Sequence, residues 1–211
     1  MNTSNIKINT QSSIRIEFDK ILYFDPFKIE LNDNDADIIF ITHEHYDHFD
    51  IESINKIKND NTIVVAPKSM KELIDKIGFK DYIYLDPNEE TNILGIDVKT
   101  IPAYNIGKSF HPKENKWVGY VISYNDTTYY IAGDTDMTPE NECVKCDIAL
   151  IPIGGHYTMD YNEGAQLVKK INPKVVIPTH YGSIVGSKND GKLLKELLSD
   201  TGLEVIQKIN F

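Results

Sequence analysis

The stretch that decides the fold is Asp37 to His48, DIIFITHEHYDH. Its first half, Asp37 to Thr42, is a short apolar run rich in β-branched residues, which predicts a buried strand. That strand delivers the chain directly into His43-Glu44-His45-Tyr46-Asp47-His48, three imidazoles and the carboxylate of Asp47 within six residues. If the backbone stays extended through His45, then His43 and His45 point the same way, because side chains repeat every second residue. A turn after Tyr46 presents Asp47 and His48 to one side of that pair. Neutral imidazole and carboxylate are ligand types that suit zinc, manganese or iron. Half of the protein's six histidines fall here, behind an apolar strand, which is hard to reconcile with a solvated loop that happens to be histidine-rich.

Two more candidate ligands sit at the ends of apolar runs. Asp134 follows the strand Thr128 to Ala132 in Ala132-Gly133-Asp134-Thr135, and His180 follows Lys174 to Pro178 in Pro178-Thr179-His180-Tyr181-Gly182. Alone, each has a plain structural role: an aspartate after glycine forms turns, and a lone histidine is more often a satisfied structural residue. Taken with the cluster, three apolar strands each end in a potential ligand, and strand ends gathered at one edge are where such folds place their chemistry.

Outward from these points the pattern is mixed α and β. Ser13 to Phe18 and Ile21 to Phe24 read as strands before Asp25-Pro26. Asp50 caps a helix to about Ile57, Thr62 to Ala66 is a strand, and Pro67 opens a helix ending near Gly78. Strand pairs follow over Asn92 to Ile101 and Trp117 to Ala132, the second turning at Asn125-Asp126. Asp147 to Ile153 is a strand, and Asp160 with Glu163 forms a capping box for a helix to Ile171. Asp190 to Ser199 is a helix closed by Gly202, and Leu203 to Ile209 is a last strand. Strand runs followed by strand–helix alternation occur in both halves, so two sheets, each with one helix-covered face, can pack as a helix–sheet–sheet–helix sandwich.

Composition narrows the function. The chain has 211 residues, a size for one domain spanning 1–211 or two tightly fused halves, with 41 % hydrophobic and 26 % charged residues, too apolar for disorder. A net charge of −10 argues against a nucleic-acid substrate, since phosphate binding draws on clustered Lys and Arg. Apolar runs stay well short of the roughly 20 residues of a membrane span. The polar stretch MNTSNIKINT does not have the order of a secretory signal. The Cys143-x-x-Cys146 pair has no second ligand pair nearby and precedes a strand, so it reads as two reduced thiols. A cytoplasmic location is expected, with a small-molecule substrate as partner and homo-oligomerisation left open.

The H-x-H-x-D-H at 43–48, the Gly133-Asp134-Thr135 motif and the late His180 resemble the metallo-β-lactamase superfamily in order and spacing over nearly the whole chain. Asp25-Pro26, the run from Pro102 to Gly107, the run from Phe110 to Asn115 and the run from Pro152 to Asp160 look like the small metal-dependent hydrolases. These are related to L-ascorbate-6-phosphate lactonase and, more distantly, to N-acyl-phosphatidylethanolamine phospholipase D. The resemblance implies a four-layer αβ/βα sandwich with a one- or two-metal site. In that pattern His43 and His45 hold a first metal, Asp47, His48 and His180 hold a second, and Asp134 bridges them. Asp25 orients a ligand histidine. His156, after two glycines at a strand end, either contacts substrate or is structural.

One position departs from the family pattern. A third histidine for the first metal is expected after Pro102-Ala103-Tyr104, where this chain has Asn105, a poorer ligand for zinc. His111, six residues on, either reaches in from its loop or is a plain loop residue before proline. Zinc is the expected metal, with manganese as the alternative. The expected chemistry is hydrolysis of a small ester, lactone or phosphodiester by a metal-activated hydroxide that Asp47 orients. A metal-binding or sensing protein with an incomplete, non-catalytic site is the competing reading. RNA-processing members of the superfamily carry a large insertion and a basic face. Glyoxalase-type thioesterases carry a helical C-terminal region. Neither pattern appears here.

Overall fold

The computed structural model describes all residues from Met1 to Phe211. The chain forms two compact units, one of residues 2–85 with Asn210, the other of residues 86–209 with Met1 and Phe211.

The first unit is built on a six-stranded sheet of β1 (Ile6–Ile8), β2 (Ile14–Glu17), β3 (Ile21–Phe24), β4 (Ile38–Phe40), β5 (Ile63–Pro67) and β6 (Asp81–Leu85), in sequential order. The first three strands pair antiparallel and the pairs from β3 to β6 are parallel. Parallel pairing brings the C-terminal ends of β3 and β4 to one edge, with Phe24 opposite Phe40 and their rings stacked at 4.6 Å. Asp25 and Thr42 therefore leave the sheet side by side. On one face Tyr23, Ile39, Ile41, Val64 and Ala66 pack with Ile54 and Ile57 of α1 (Ile51–Ile57) and with Ile74 of α2 (Lys71–Ile74). The alternate residues Leu22, Phe24, Ile38, Phe40 and Val65 are buried as well, which explains why β4 is apolar without alternation. Asp50 caps α1 as expected, accepting from the Glu52 N–H.

Pro67 departs from the expectation of a helix start. It ends β5 opposite Leu85 with an extended ψ of 144°, and a 3-10 turn over Lys68–Met70 precedes the short α2. A proline at a strand end gives up no interior ladder bond. Strands β1 and β6 are additional to those read from the sequence.

The second unit is a seven-stranded sheet in the order β13-β12-β11-β10-β9-β8-β7. Its strands are β7 (Glu90–Ile93), β8 (Ile96–Pro102), β9 (Val118–Tyr124), β10 (Thr127–Ile131), β11 (Ile148–Pro152), β12 (Val175–Thr179) and β13 (Glu204–Val205). Pairs from β7 to β10 are antiparallel and those from β10 to β13 are parallel. It follows that β8, β10, β11 and β12 run in the same direction and release their loops at one edge. Asn125 and Asp126 turn the β9–β10 hairpin with φ of 48° and 58°, the left-handed pair a tight hairpin needs. The Asp160/Glu163 capping box opens α3 (Tyr161–Ile171), which ends at left-handed Asn172. Gly164 lets α3 lie close on Ile151 and Ile153, since a Cβ there would stand 3.0 Å from Ile153. The last helix, α4 (Asp190–Leu197), is shorter than expected, and β13 covers two residues rather than Leu203 to Ile209.

Candidate metal centre

In the first unit the histidine cluster is organised by Asp25. This residue is fully buried in the left-handed conformation, φ 46°. Its Oδ1 accepts the Thr42 N–H at 2.8 Å and its Oδ2 accepts the Thr42 hydroxyl at 2.7 Å. The same Oδ2 lies 2.8 Å from Nδ1 of His48. Because the single Thr42 hydroxyl proton goes to Asp25, Thr42 Oγ1 is left to accept from Nδ1 of His43, 2.9 Å away. One carboxylate thus sets the tautomer of two histidines, His48 directly and His43 through Thr42, leaving Nε2 of each with its lone pair. Burial pushes the Asp25 carboxyl up, while the His48 imidazole and the Thr42 hydrogen bonds pull against that rise.

The chain bends from Glu44 instead of staying extended through His45, and the N–H groups of His48 and Phe49 both donate to the His45 carbonyl, at 2.9 and 2.8 Å. The bend brings Nδ1 of the half-buried His45 to 3.1 Å from Nε2 of His43. The rings of His43 and His48 lie 4.0 Å apart, and Oδ2 of Asp47 is 3.7 Å from Nε2 of His48. His43, Asp47 and His48 are buried.

In the second unit the strand ends bring together Asp134, His111 and His180, all buried. Oδ2 of Asp134 is 3.3 Å from Nε2 of His111 and equally 3.3 Å from Nε2 of His180. His180 adopts φ 52°, and its carbonyl is backed by Gly154, where a Cβ would come within 2.2 Å. Asn105, also buried, contacts His111 and Tyr157. Its side-chain Nδ2 donates to the Tyr157 carbonyl at 2.7 Å and lies 3.3 Å from Nδ1 of His111, while its backbone N–H donates to the His111 carbonyl at 2.8 Å. Asn105 therefore braces the far edge of the His111 ring. The Trp117 ring meets His111 edge-on, centroids 5.4 Å apart.

The donor chemistry fits a divalent cation. Two ligand atoms about 2.0–2.2 Å from one tetrahedral ion stand roughly 3.3–3.6 Å apart. The His–Asp134 separations of 3.3 Å match that spacing and exceed the roughly 2.7–2.9 Å of a charge-assisted hydrogen bond. His156, by contrast, is exposed and packs with Phe110 and Tyr157, ring centroids 5.8 and 4.4 Å away.

Three residues of this region escaped sequence reasoning. Thr42 stood only as the end of a strand. Asp136 is buried and accepts the Ile106 N–H at 2.9 Å on Oδ2, and Lys108 donates to its Oδ1 at 2.5 Å. The second acid of Gly133-Asp134-Thr135-Asp136 was the available signal.

The chain is similar to known proteins along almost all of its length. Residues 5–180 match the family model described as beta-lactamase superfamily domain. A UPF0173 metal-dependent hydrolase from Nanoarchaeum equitans is 32 % identical over 210 residues, covering 95 % of this chain and 94 % of that one. Its counterpart from Thermoplasma acidophilum is 33 % identical over 199 residues, covering 89 % and 87 %. Among solved structures, a Parabacteroides distasonis protein described as a metal-dependent hydrolase superposes with a TM-score of 0.83 at 27 % identity, over 97 % of this chain and 93 % of that one. The metallo hydrolase Igni18 of Ignicoccus hospitalis, at 23 % identity and a TM-score of 0.81 over 96 % and 93 % of the two chains, shares the fold. Two mixed sheets with flanking helices and this kinship place the chain in the UPF0173 family of metal-dependent hydrolases, within the metallo-β-lactamase superfamily.

Proposed function

We propose that residues 1–211 act as one cytoplasmic hydrolase domain that cleaves a small ester, lactone or phosphodiester at a centre of two divalent metals, zinc ahead of manganese. His43, His45 and His111 serve the first metal, Asp47, His48 and His180 the second, and Asp134 both. The observation that carries this reading is the single Asp134 oxygen 3.3 Å from Nε2 of both His111 and His180. A carboxylate oxygen at ligand-pair spacing from two imidazole nitrogens supports a role for Asp134 in holding metal beside both histidines. His111 beside Asp134 supports this reading over an incomplete, merely sensing site, despite the asparagine at 105.

When bound, divalent ions bring the pKa of their water to about 7 and polarise a carbonyl or phosphoryl oxygen. The protein's residues supply the rest. Asp47, buried beside His48, orients the attacking water, takes its proton and delivers it to the leaving group. Asp25 and Thr42 hold His43 and His48 in the tautomer that exposes Nε2. Phe110, His156 and Tyr157, on the loops after β8 and β11, offer an exposed ring surface to the substrate's apolar part. The free thiols Cys143 and Cys146 suit a reducing compartment.

The test is turnover by zinc- or manganese-loaded protein against a panel of lactones, aryl esters, thioesters and bis(p-nitrophenyl) phosphate. Activity toward one class, lost on chelation and restored by metal, supports the reading. A fully loaded protein inert toward every class would overturn it.

A further inference from the structure

The proposed function leaves Lys108 unused, yet its ammonium is the hub of a small network. Lys108 Nζ donates to Oδ1 of Asp136 and, at 2.8 Å, to the carbonyl of Thr158, with Glu163 of the α3 capping box 4.0 Å away. Asp136 closes the network by accepting the Ile106 N–H on its other oxygen. The loop these groups pin begins at Asn105 and returns at His111, where the Asn105 N–H meets the His111 carbonyl. Lys108 stands at its midpoint, three residues from each end, beside Gly107 with φ 72°. One cation thereby ties together the loop that carries His111, the segment two residues past Asp134, and the carbonyl next to Tyr157, which braces Asn105.

We propose that Lys108 and Asp136 form a positioning pair that holds His111 at its 3.3 Å distance from Asp134 and so sets the affinity of the metal position His111 serves. This rests on the assignment of His111 as a ligand. The physical case has two parts. The Asn105–His111 loop lies outside any strand, so ladder hydrogen bonds do not fix its shape. Asp136 is a buried carboxylate whose charge needs a partner, and removing one member of such a pair leaves the other uncompensated. Loss of the ammonium would then loosen both the loop and the segment that follows Asp134.

The experiment is zinc titration of metal-free protein against a chromophoric chelator for wild type, Lys108→Met, Lys108→Arg, Asp136→Asn and His111→Ala, with melting temperatures of all five in the metal-free state. Lys108→Met keeps the aliphatic stem and removes the charge, and Asp136→Asn keeps an acceptor for Ile106. Both should weaken one zinc position by about 10-fold or more, the range for groups that orient a ligand. The metal-free melting temperature should fall in Lys108→Met, which leaves Asp136 uncompensated, and less in Asp136→Asn, whose partly exposed lysine can turn to solvent. Lys108→Arg should recover most of the loss. Wild-type zinc binding in Lys108→Met and Asp136→Asn, alongside a weakened His111→Ala, would overturn the positioning role while leaving His111 as a ligand. Unchanged binding in His111→Ala would overturn both. Weaker binding in Lys108→Met alone, with Asp136→Asn binding zinc like wild type, would also overturn it, in favour of general destabilisation.

Discussion

Oδ2 of Asp25 lies 2.8 Å from Nδ1 of His48, with both side chains buried. The contact fixes which nitrogen of His48 is available to a metal. Asp25→Asn keeps the shape but removes the charge that holds the Nδ1 proton and creates an amide that has to turn to satisfy Thr42. Zinc affinity should fall by about 10- to 100-fold, and urea unfolding of the metal-free protein should show a loss of about 1–3 kcal/mol from the disturbed buried hydrogen bonds. Zinc binding equal to wild type would mean that His48 keeps its orientation without Asp25.

How far the sequence reaches is clear from particular elements. DIIFIT was legible because a parallel strand buried on both faces is apolar without a break, and the histidine cluster because it adjoins that strand. The helix over 161–171 was legible from its capping box, which rests on residues three apart. Strand β6, DYIYL, was not, because it is a half-exposed edge strand of polar and aromatic residues whose pairing with β5 is long-range. The same limit hid the residues that brace the histidines. Thr42 gains its role from Asp25, 17 residues away, and Lys108 from Thr158, 50 residues away. Such roles depend on tertiary partners rather than on local pattern. Asn105 illustrates it from the other side: its position matched a ligand slot, while its contacts make it the brace of His111.

Gly154 is the sharpest steric constraint near a proposed ligand. A Cβ there would sit 2.2 Å from the His180 carbonyl oxygen and 2.7 Å from a Val185 methyl. Gly154→Ala should therefore displace His180 and cost about 1–3 kcal/mol, as overpacking of a tight interior does. Thermal unfolding gives the stability loss, and the same sample titrated with zinc should show weaker binding. A variant that melts and binds zinc like wild type would show that the β11 and β12 loops part readily.

The two thiols should react very differently. Cys143 is exposed, whereas burial, with a further contribution from Asp147, pushes the Cys146 thiol up to about 12. An acid whose pKa is raised holds its proton longer, so at pH 8 the nucleophilic thiolate of Cys146 is scarce. Iodoacetamide at pH 8 should label Cys143 at least about 10-fold faster, read by peptide mass spectrometry, with Cys146 catching up only in denaturant. Equal rates in the folded protein would contradict the shielding of the half-buried Cys146.

The most direct test of the metal centre is metal content and competitive zinc titration of metal-free wild type beside His111→Ala, Asp134→Ala and His180→Ala. Wild type should take up two ions, one tight and one weaker, because the second position has Asp47, His48, Asp134 and His180, whereas the first depends on a histidine held by a loop. His111→Ala should remove the weaker position alone, His180→Ala the tight one, and Asp134→Ala should weaken both, since its one oxygen stands 3.3 Å from each imidazole. Two zinc ions bound with wild-type affinity in all three variants would contradict the assignment of these residues as ligands.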